Sequence, residues 1–503
     1  MIGETDVLFG QAYFLRFDPK LWDAQQPYPP LGALYAAAAT RARGYRVELF
    51  DAMLAGSEAE WGEALDRHRP RVAVLYEDSF NYLTKMCLLR MREAALVMID
   101  AARARGIPVI VAGSDASDHP EVYLEGGALV VVAGEGEATL VELLDLIFGR
   151  SGAPMSSLAG VCLNDGPGRV VRTRAREMAR DLDSLPRPAW DLVDVDRYRR
   201  IWQKRHGYFS MNIVTTRGCP YHCNWCAKPI YGQRYSVRSA EHVVEEVAWL
   251  KATYRPDHLW IADDIFGLKP GWIDRFAEGV ARQNVRTPYK CLLRADGVTE
   301  PVVRALATSG CRTAWIGAES GAQGILDAME KGTRVDQIYR AARLLKAAGI
   351  EVGFFLQFGY PGETMAHIEQ TLQMVRECDP DDIGVSVSYP LPGTPFYDRV
   401  QAQLGIKRNW VDSSDLAMMY RATYVPEFYR ALHALVHAEF RARRGRRRGG
   451  RAAVSRLYHA ARLPLLARRV RRLARVGTDG ESPLLLIPVL SRQAAAVPSE
   501  QPQ

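Results

Sequence analysis

Three cysteines stand close together in the segment TTRGCPYHCNWC, residues 215–226: Cys219, Cys223 and Cys226, spaced C-x3-C-x2-C. Thiolate sulfur is the usual protein ligand of iron–sulfur clusters, and a four-iron cluster has four irons to satisfy. Three protein ligands leave one iron open, which a reactive site needs and a closed structural site lacks. The competing chemistry is a zinc site with His222 as fourth ligand. Structural zinc sites usually pair two C-x2-C-like halves, and this chain has no second half. The other five cysteines, Cys87, Cys162, Cys291, Cys311 and Cys378, are scattered, several within apolar stretches, and read as small buried side chains.

Such a loop needs a scaffold, and the flanking pattern supplies one. From about residue 208 to 400, six apolar runs alternate with helix-compatible stretches: MNIVTTRG, HLWIADD, YKCLLRAD, RTAWIGAE, EVGFFLQF and DIGVSVSY. This predicts a partial (β/α)6 barrel, with the cysteine loop beyond the carboxyl end of its first strand, where barrels carry chemistry. Residues 1–150 show the same alternation in TDVLFG, YRVELFDA, RVAVLYED, IPVIVAGSD and ALVVVAGEGE, with helices from about Leu31 to Ala42, through Trp61 and Leu65, and from Ala138. Near-continuously apolar strands between helices predict a parallel sheet covered on both faces, a doubly wound, Rossmann-like α/β domain. Residues 151–205 break the pattern: a hairpin around Asp165-Gly166-Pro167-Gly168, then a linker containing Pro186 and Pro188. The barrel occupies 206–400. Residues 401–503 read as a helical, arginine-rich region in which Pro464 interrupts any single long helix, with a disordered end at SRQAAAVPSEQPQ.

The cysteine loop, with Trp225 immediately before the third cysteine, resembles the radical S-adenosylmethionine (SAM) superfamily. The phrases IADDIFG, LRADGV, IGAESGAQGILDAMEKGT, FGYPGET and SYPLPGTPFYD follow in order at strand ends. With PYPPLGALYAAA and GEGEATLVELL in the first domain, the chain resembles, over roughly residues 5–400, the branch with an N-terminal cobalamin-binding domain. The resemblance implies a [4Fe-4S] cluster on Cys219, Cys223 and Cys226, with SAM on the open iron. Reductive cleavage of SAM would yield a 5′-deoxyadenosyl radical. It also implies an external electron donor such as flavodoxin or ferredoxin. Candidate SAM contacts are Trp225, Asp264, Arg294, Glu319, Ser320, Gly359, Tyr360 and Pro361. Ser320 also reads as a helix cap, Asp263 and Asp264 as turn caps, and Tyr221 and Trp225 as plain packing around the cluster.

Gly113, Ser114, Gly134, Glu135 and Gly136, on loops after two strands of the first domain, are the candidate cobalamin contacts. The D-x-H-x-x-G loop that supplies a lower cobalt ligand in cobalamin-binding folds is replaced here by GQAYFLRFDPKLW, without histidine. Radical SAM relatives commonly lack it too, and His119 is a poor substitute. A domain of this fold that no longer binds cobalamin is the alternative. The resemblance implies C-methylation of an unactivated carbon in a small-molecule or lipid substrate. Cyclisation, oxidation or carbon–carbon coupling is a second reading, as in anaerobic magnesium-protoporphyrin ester cyclases. A corrinoid carrier with a vestigial cluster is a third. No individual catalytic residue can be named.

The bulk numbers agree with a soluble, multidomain class. The 503 residues are 48% hydrophobic and 24% charged, close to globular averages. No apolar run reaches the ~18–20 residues that span a bilayer, SPLLLIPVLS being too short. No secretory signal is visible, so a cytoplasmic location is expected. The net charge of +7 is owed to the tail, since residues 441–475 hold fourteen arginines and no acids. Leucines interleave with those arginines, which suits a solvated face or a peripheral contact with the anionic inner face of a membrane. Nucleic acid is disfavoured, because no recognition motif or aromatic platform accompanies the charge.

Overall fold

The computed structural model describes residues 5–86, 88–166, 168–226, 230–405, 407–444 and 451–475. Cys87, the SPLLLIPVLS run and the C-terminal SRQAAAVPSEQPQ lie outside these residues.

Apolar segments form the first sheet: β1 (Val7–Gly10), β2 (Val47–Leu49), β3 (Val72–Tyr76), β4 (Val109–Ala112) and β5 (Val130–Val132), all parallel and, apart from the edge strand β2, fully buried. Their apolar residues divide into clusters on the two faces, as a doubly wound sheet requires. The order β2-β1-β3-β4-β5 reverses direction between β1 and β3, and ligands in such folds bind outside the strand ends at that point. The hairpin expected near residue 165 forms as β6 (Val161–Asn164) and β7 (Val170–Arg172). It extends the first sheet by antiparallel pairing of β6 on β5.

The helix Leu31–Ala42 is buried from Leu31 to Ala38. Its apolar, alanine-rich sequence suits a helix covered on every side. Leu31, Leu34 and Tyr35 belong to the same apolar cluster as the second domain. The adjoining PYPP segment is tied to that domain by polar contacts: Trp202 Nε1 donates to Pro27 O at 2.7 Å, Asn212 Nδ2 to Pro29 O at 3.0 Å, and Tyr28 Oη lies 2.9 Å from Ser210 Oγ.

In the second domain β8 (Ser210–Ile213) is followed by a short antiparallel pair, β9 (Thr216–Arg217) and β10 (Ser236–Val237). Five further strands continue a parallel sheet: β11 (His258–Ile261), β12 (Tyr289–Leu293), β13 (Cys311–Glu319), β14 (Glu351–Phe358) and β15 (Asp382–Val387). The order is β8-β11-β12-β13-β14-β15, each pair parallel. The two ends, β8 and β15, do not pair with each other among the described residues, so this is the open six-stranded barrel expected.

The C-terminal region differs from expectation at one place. A single helix, Arg451–Arg475, runs unbroken through Pro464. Proline removes one backbone hydrogen bond but leaves those on either side, so packing can carry the helix across it. Here Val470, with Leu473 and Ala474 alongside, joins the main apolar cluster that also takes in Phe428, Leu432 and Val436 of the helix Pro426–Arg444.

Candidate active site

The cysteine loop leaves the carboxyl end of β8 and is pinched at its base by β9 and β10. Gly218 has φ of +77°, and a side chain there would place Cβ 2.1 Å from Arg234 O, so only glycine fits the closure. Asp263 secures the approach. Its Oδ1 accepts the amides of Thr215 and Thr216 at 2.7 and 3.0 Å, and its Oδ2 accepts the Thr215 hydroxyl. Burial nevertheless pushes the Asp263 pKa up to about 7. This carboxyl is a fastener turned inward, holding the segment after β8 rather than capping its own next turn.

Asn224, between the second and third cysteines, is fully buried and fixes the loop's far side. Its amide nitrogen donates to Met329 O at 3.1 Å and its side chain to Ala328 O at 2.8 Å. Its Oδ1 accepts Tyr360 Oη at 2.9 Å, and Phe396 N donates to its carbonyl. Tyr360 stacks on Phe396 at 5.3 Å. The GYP segment is therefore bound directly to the cysteine loop.

Cys219 is buried, Cys223 and Cys226 are half-buried, and His222 is exposed. Among the described residues no three His, Cys, Asp or Glu side chains are gathered closely enough to hold a metal ion. The cysteines thus share a pinned loop without forming a closed cage. Two cations attend it. Arg294 Nη1 lies 3.9 Å from Cys223 Sγ, its guanidinium covers the Tyr221 ring at 3.7 Å, and its Nε meets Asp296 at 3.0 Å. Lys331 is buried, bonds Glu319 at 2.9 Å and lies 5.9 Å from the Trp225 ring. Burial works against the Lys331 charge, but Glu319 and Cys223 hold its pKa above the ordinary value. Neighbouring cations favour thiolates, so the donor set fits a cluster bound by three sulfurs.

Glu319 ends β13 with a left-handed backbone (φ +58°) beside a register shift against β14. Gly317 makes room for the pair, since a Cβ there would lie 2.9 Å from both Glu319 Oε1 and Lys331 Nζ. Gly359 has φ of +83°, gives its amide to Glu363 at 2.6 Å and accepts Tyr420 Oη. Glu363 is pushed up to about 8 by burial. Trp225, Arg294, Glu319 and the Gly359–Pro361 turn thus converge on the cysteines. Ser320 turns inward, with its Oγ 3.1 Å from Thr371 Oγ1 and accepting the Ala322 amide, while Asp264 pairs with Lys85 of the first domain at 2.6 Å.

At the carboxyl edge of the first sheet, Gln11 and Glu77 follow β1 and β3 and flank the reversal point. Glu77 Oε1 accepts the Ala12 amide at 2.8 Å, whereas Glu77 Oε2 and Gln11 Oε1 are buried without a protein partner. Gly113 lies against Glu77, where a Cβ would meet Glu77 Cβ at 2.6 Å, and Ser114 opens the short helix that follows. Burial, with Asp115 and Asp78 nearby, pushes Glu77 up to about 8, so it is a neutral hydrogen-bonding group. Gly134 has φ of +81°, and its amide donates to Ser117 Oγ at 3.1 Å. An edge with unpartnered polar atoms, the Gln11 carbonyl and the protonated Glu77 carboxyl, suits a ligand rich in amides, and the residues present fit a corrinoid there. Glu135 is engaged otherwise: Arg217 and the Ala179 amide take its two carboxylate oxygens. Sequence reading missed Arg217, Asn224, Lys331 and Lys85. Lys331 and its partner Glu319, twelve residues earlier, lie within one motif phrase already quoted, but only the fold pairs them.

An open parallel barrel bearing a three-thiol loop thus follows a doubly wound domain. Residues 213–375 match the Radical SAM superfamily and residues 22–144 the B12 binding domain family. The chain therefore carries a radical SAM domain and, ahead of it, a B12 binding domain. These families imply a [4Fe-4S] cluster, SAM and cobalamin as cofactors. An uncharacterized methyltransferase of Pyrococcus horikoshii is 27% identical over 60% of this chain and 65% of its own length. An anaerobic magnesium-protoporphyrin IX monomethyl ester cyclase of Rubrivivax gelatinosus is 24% identical over 74% and 66%. The chain thus spans just under two thirds of these two relatives. The hopanoid C-3 methylase of Methylococcus capsulatus is 26% identical over 80% of this chain and 74% of its own length. In fold, the cobalamin-dependent SAM radical enzyme OxsB superposes with a TM-score of 0.71 over 93% of this chain and 72% of its own, at 19% identity.

Proposed function

We propose that this chain is a cobalamin-dependent radical SAM enzyme that methylates an unactivated carbon of a small-molecule or lipid substrate. The observation that carries the reading is the juxtaposition of a thiol loop, attended by Arg294 and Lys331, with a domain edge that offers unpartnered polar atoms at Gln11 and Glu77. Cys219, Cys223 and Cys226 would hold the cluster, and Glu319, Trp225 and the Gly359–Pro361 turn would hold SAM. When bound, the cluster and SAM supply a carbon radical and the corrinoid supplies the methyl group. The protein orients these groups. Arg294 and Lys331 balance the negative charge of thiolates, Tyr360 and Asn224 keep the loop in place, and packed aromatics exclude water.

The test is product analysis with a reductant in place of the flavodoxin or ferredoxin that would donate electrons. S-adenosylhomocysteine and 5′-deoxyadenosine should form together. Deoxyadenosine with no methylated product would remove the methyl-transfer part. The likeness to the ester cyclases supports a second reading, in which the same cofactors drive ring closure, and that outcome would then be expected.

The C-terminal helix supports a peripheral contact with an anionic membrane. Val454, Leu457, Tyr458 and Leu465 are 58–70% exposed and lie among arginines, while no helix among the described residues is long and apolar enough to cross a membrane. Flotation with anionic liposomes, comparing the full chain with one ending near Phe440, tests it. Equal flotation of the two removes the contact.

A further inference from the structure

We propose that Arg217, Glu135 and Glu137 form a clasp locking the cysteine loop to the B12 binding domain, with Arg217 as the positioning residue of that loop. The inference rests on the proposed function only in taking the loop to hold a cluster. Arg217 closes β9 two residues before Cys219. Its Nη1 bonds Glu135 Oε1, and its Nη2 bonds Glu137 Oε1 at 2.7 Å, with Nη1 also 3.2 Å from Glu137 Oε2. The three side chains are only 2%, 7% and 7% exposed. Tyr35, Phe80 and Tyr231 surround the guanidinium at 5.4–5.8 Å, so no bulk water stands between the partners.

A guanidinium fork meeting two carboxylates fixes distance and angle together, which a lysine cannot do. A buried charge group of this kind specifies geometry more than it adds stability. Glu135 lies in the loop after β5 and Glu137 opens the helix Glu137–Ile147 that follows, at the edge where doubly wound domains bind ligands. The fastening is completed on the linker by the Ala179 amide, bound to Glu135, and by Ser236 Oγ of β10, which donates to Ala179 O at 2.9 Å. The loops serving the two cofactors are therefore one connected body. Two carboxylates facing one cation also leave net negative charge sealed beside the cysteines, which disfavours reduction of a cluster there.

The test reads the cluster from the other domain. The full chain, anaerobically purified with its cluster reconstituted, is compared with Glu137→Gln, Arg217→Lys and the control Glu142→Gln. Glu142 lies on the same helix, but it pairs with Arg176 and is 43% exposed. Glu137→Gln should keep the parent's iron content, shift the cluster's reduction potential upward and change the electron paramagnetic resonance line shape. Arg217→Lys should change the line shape with the charge preserved, and Glu142→Gln should change neither. Spectra and potential in Glu137→Gln and Arg217→Lys that match the parent would overturn the clasp. If the parent itself takes up no iron, the functional reading fails separately. The clasp is then judged by amide hydrogen exchange, with faster exchange across residues 218–226 in Glu137→Gln expected and unchanged exchange overturning it.

Discussion

Asn224 lies between two cysteines, and its side-chain amide and carbonyl are both engaged, by Ala328 and Tyr360. Removing it leaves buried polar groups of the loop unpaired, at a cost of about 1–3 kcal/mol each. Asn224→Ala should therefore lower the urea midpoint and the iron retained after reconstitution. An unchanged midpoint would mean that the backbone alone holds the loop. Glu77 gives a pH prediction. Its folded-state pKa is raised from 4.5 to about 8, chiefly by burial, so the native state keeps a proton that the unfolded chain releases. Its contribution is fully present below the unfolded value and is lost as pH rises through about 8. Glu77→Gln cannot ionise, so its stability relative to the parent should improve steadily between pH 5 and 8. A difference that is flat or reversed across that range would show that Glu77 is ionised in the fold.

At the scale of elements, the β9–β10 pinch depends on a glycine at 218. Gly218→Ala should disrupt the cysteine loop and reduce iron binding while leaving far-ultraviolet circular dichroism unchanged, because the main sheets do not involve it. Iron binding at the parent level would contradict the closure described. The helix Arg451–Arg475 carries Pro464 in its interior, where proline is typically ~3 kcal/mol worse than alanine. Pro464→Ala should raise the thermal midpoint, and a fall would mean that the proline bend is needed for docking on Pro426–Arg444. The strands β1, β3, β4 and β5 were legible because each is a short apolar run buried on both faces, and the helix Leu31–Ala42 because its alanine-rich run had visible bounds. The hairpin at 161–172 was legible as a hairpin, but its addition to the sheet edge was not, since an antiparallel edge strand carries no distinguishing pattern. The continuous C-terminal helix was hidden by Pro464, because local propensity says nothing of the helix packed beside it. The three-cysteine loop was visible from spacing alone. Arg217, Lys331 and the engagement of Glu135 were not, because their partners are fixed only by the fold, across 82 residues in the Arg217–Glu135 pair.

Taken as a whole molecule, the chain is two α/β units joined through a common apolar cluster that contains residues of both. Ion pairs and hydrogen bonds cross the junction at Arg217–Glu135, Arg217–Glu137, Lys85–Asp264 and Tyr28–Ser210. A radical formed at the cysteine loop would thus arise beside the ligand edge of the first domain, which is the arrangement a methyl donor and a radical initiator need. The measurement that tests this most directly is anaerobic reconstitution with iron, sulfide and hydroxocobalamin, followed by incubation with SAM and reductant. The chain should bind both cofactors and release 5′-deoxyadenosine, and Cys223→Ala should abolish the cluster absorbance and the deoxyadenosine while still binding cobalamin. A Cys223→Ala protein that keeps its brown colour and its SAM cleavage would contradict the account.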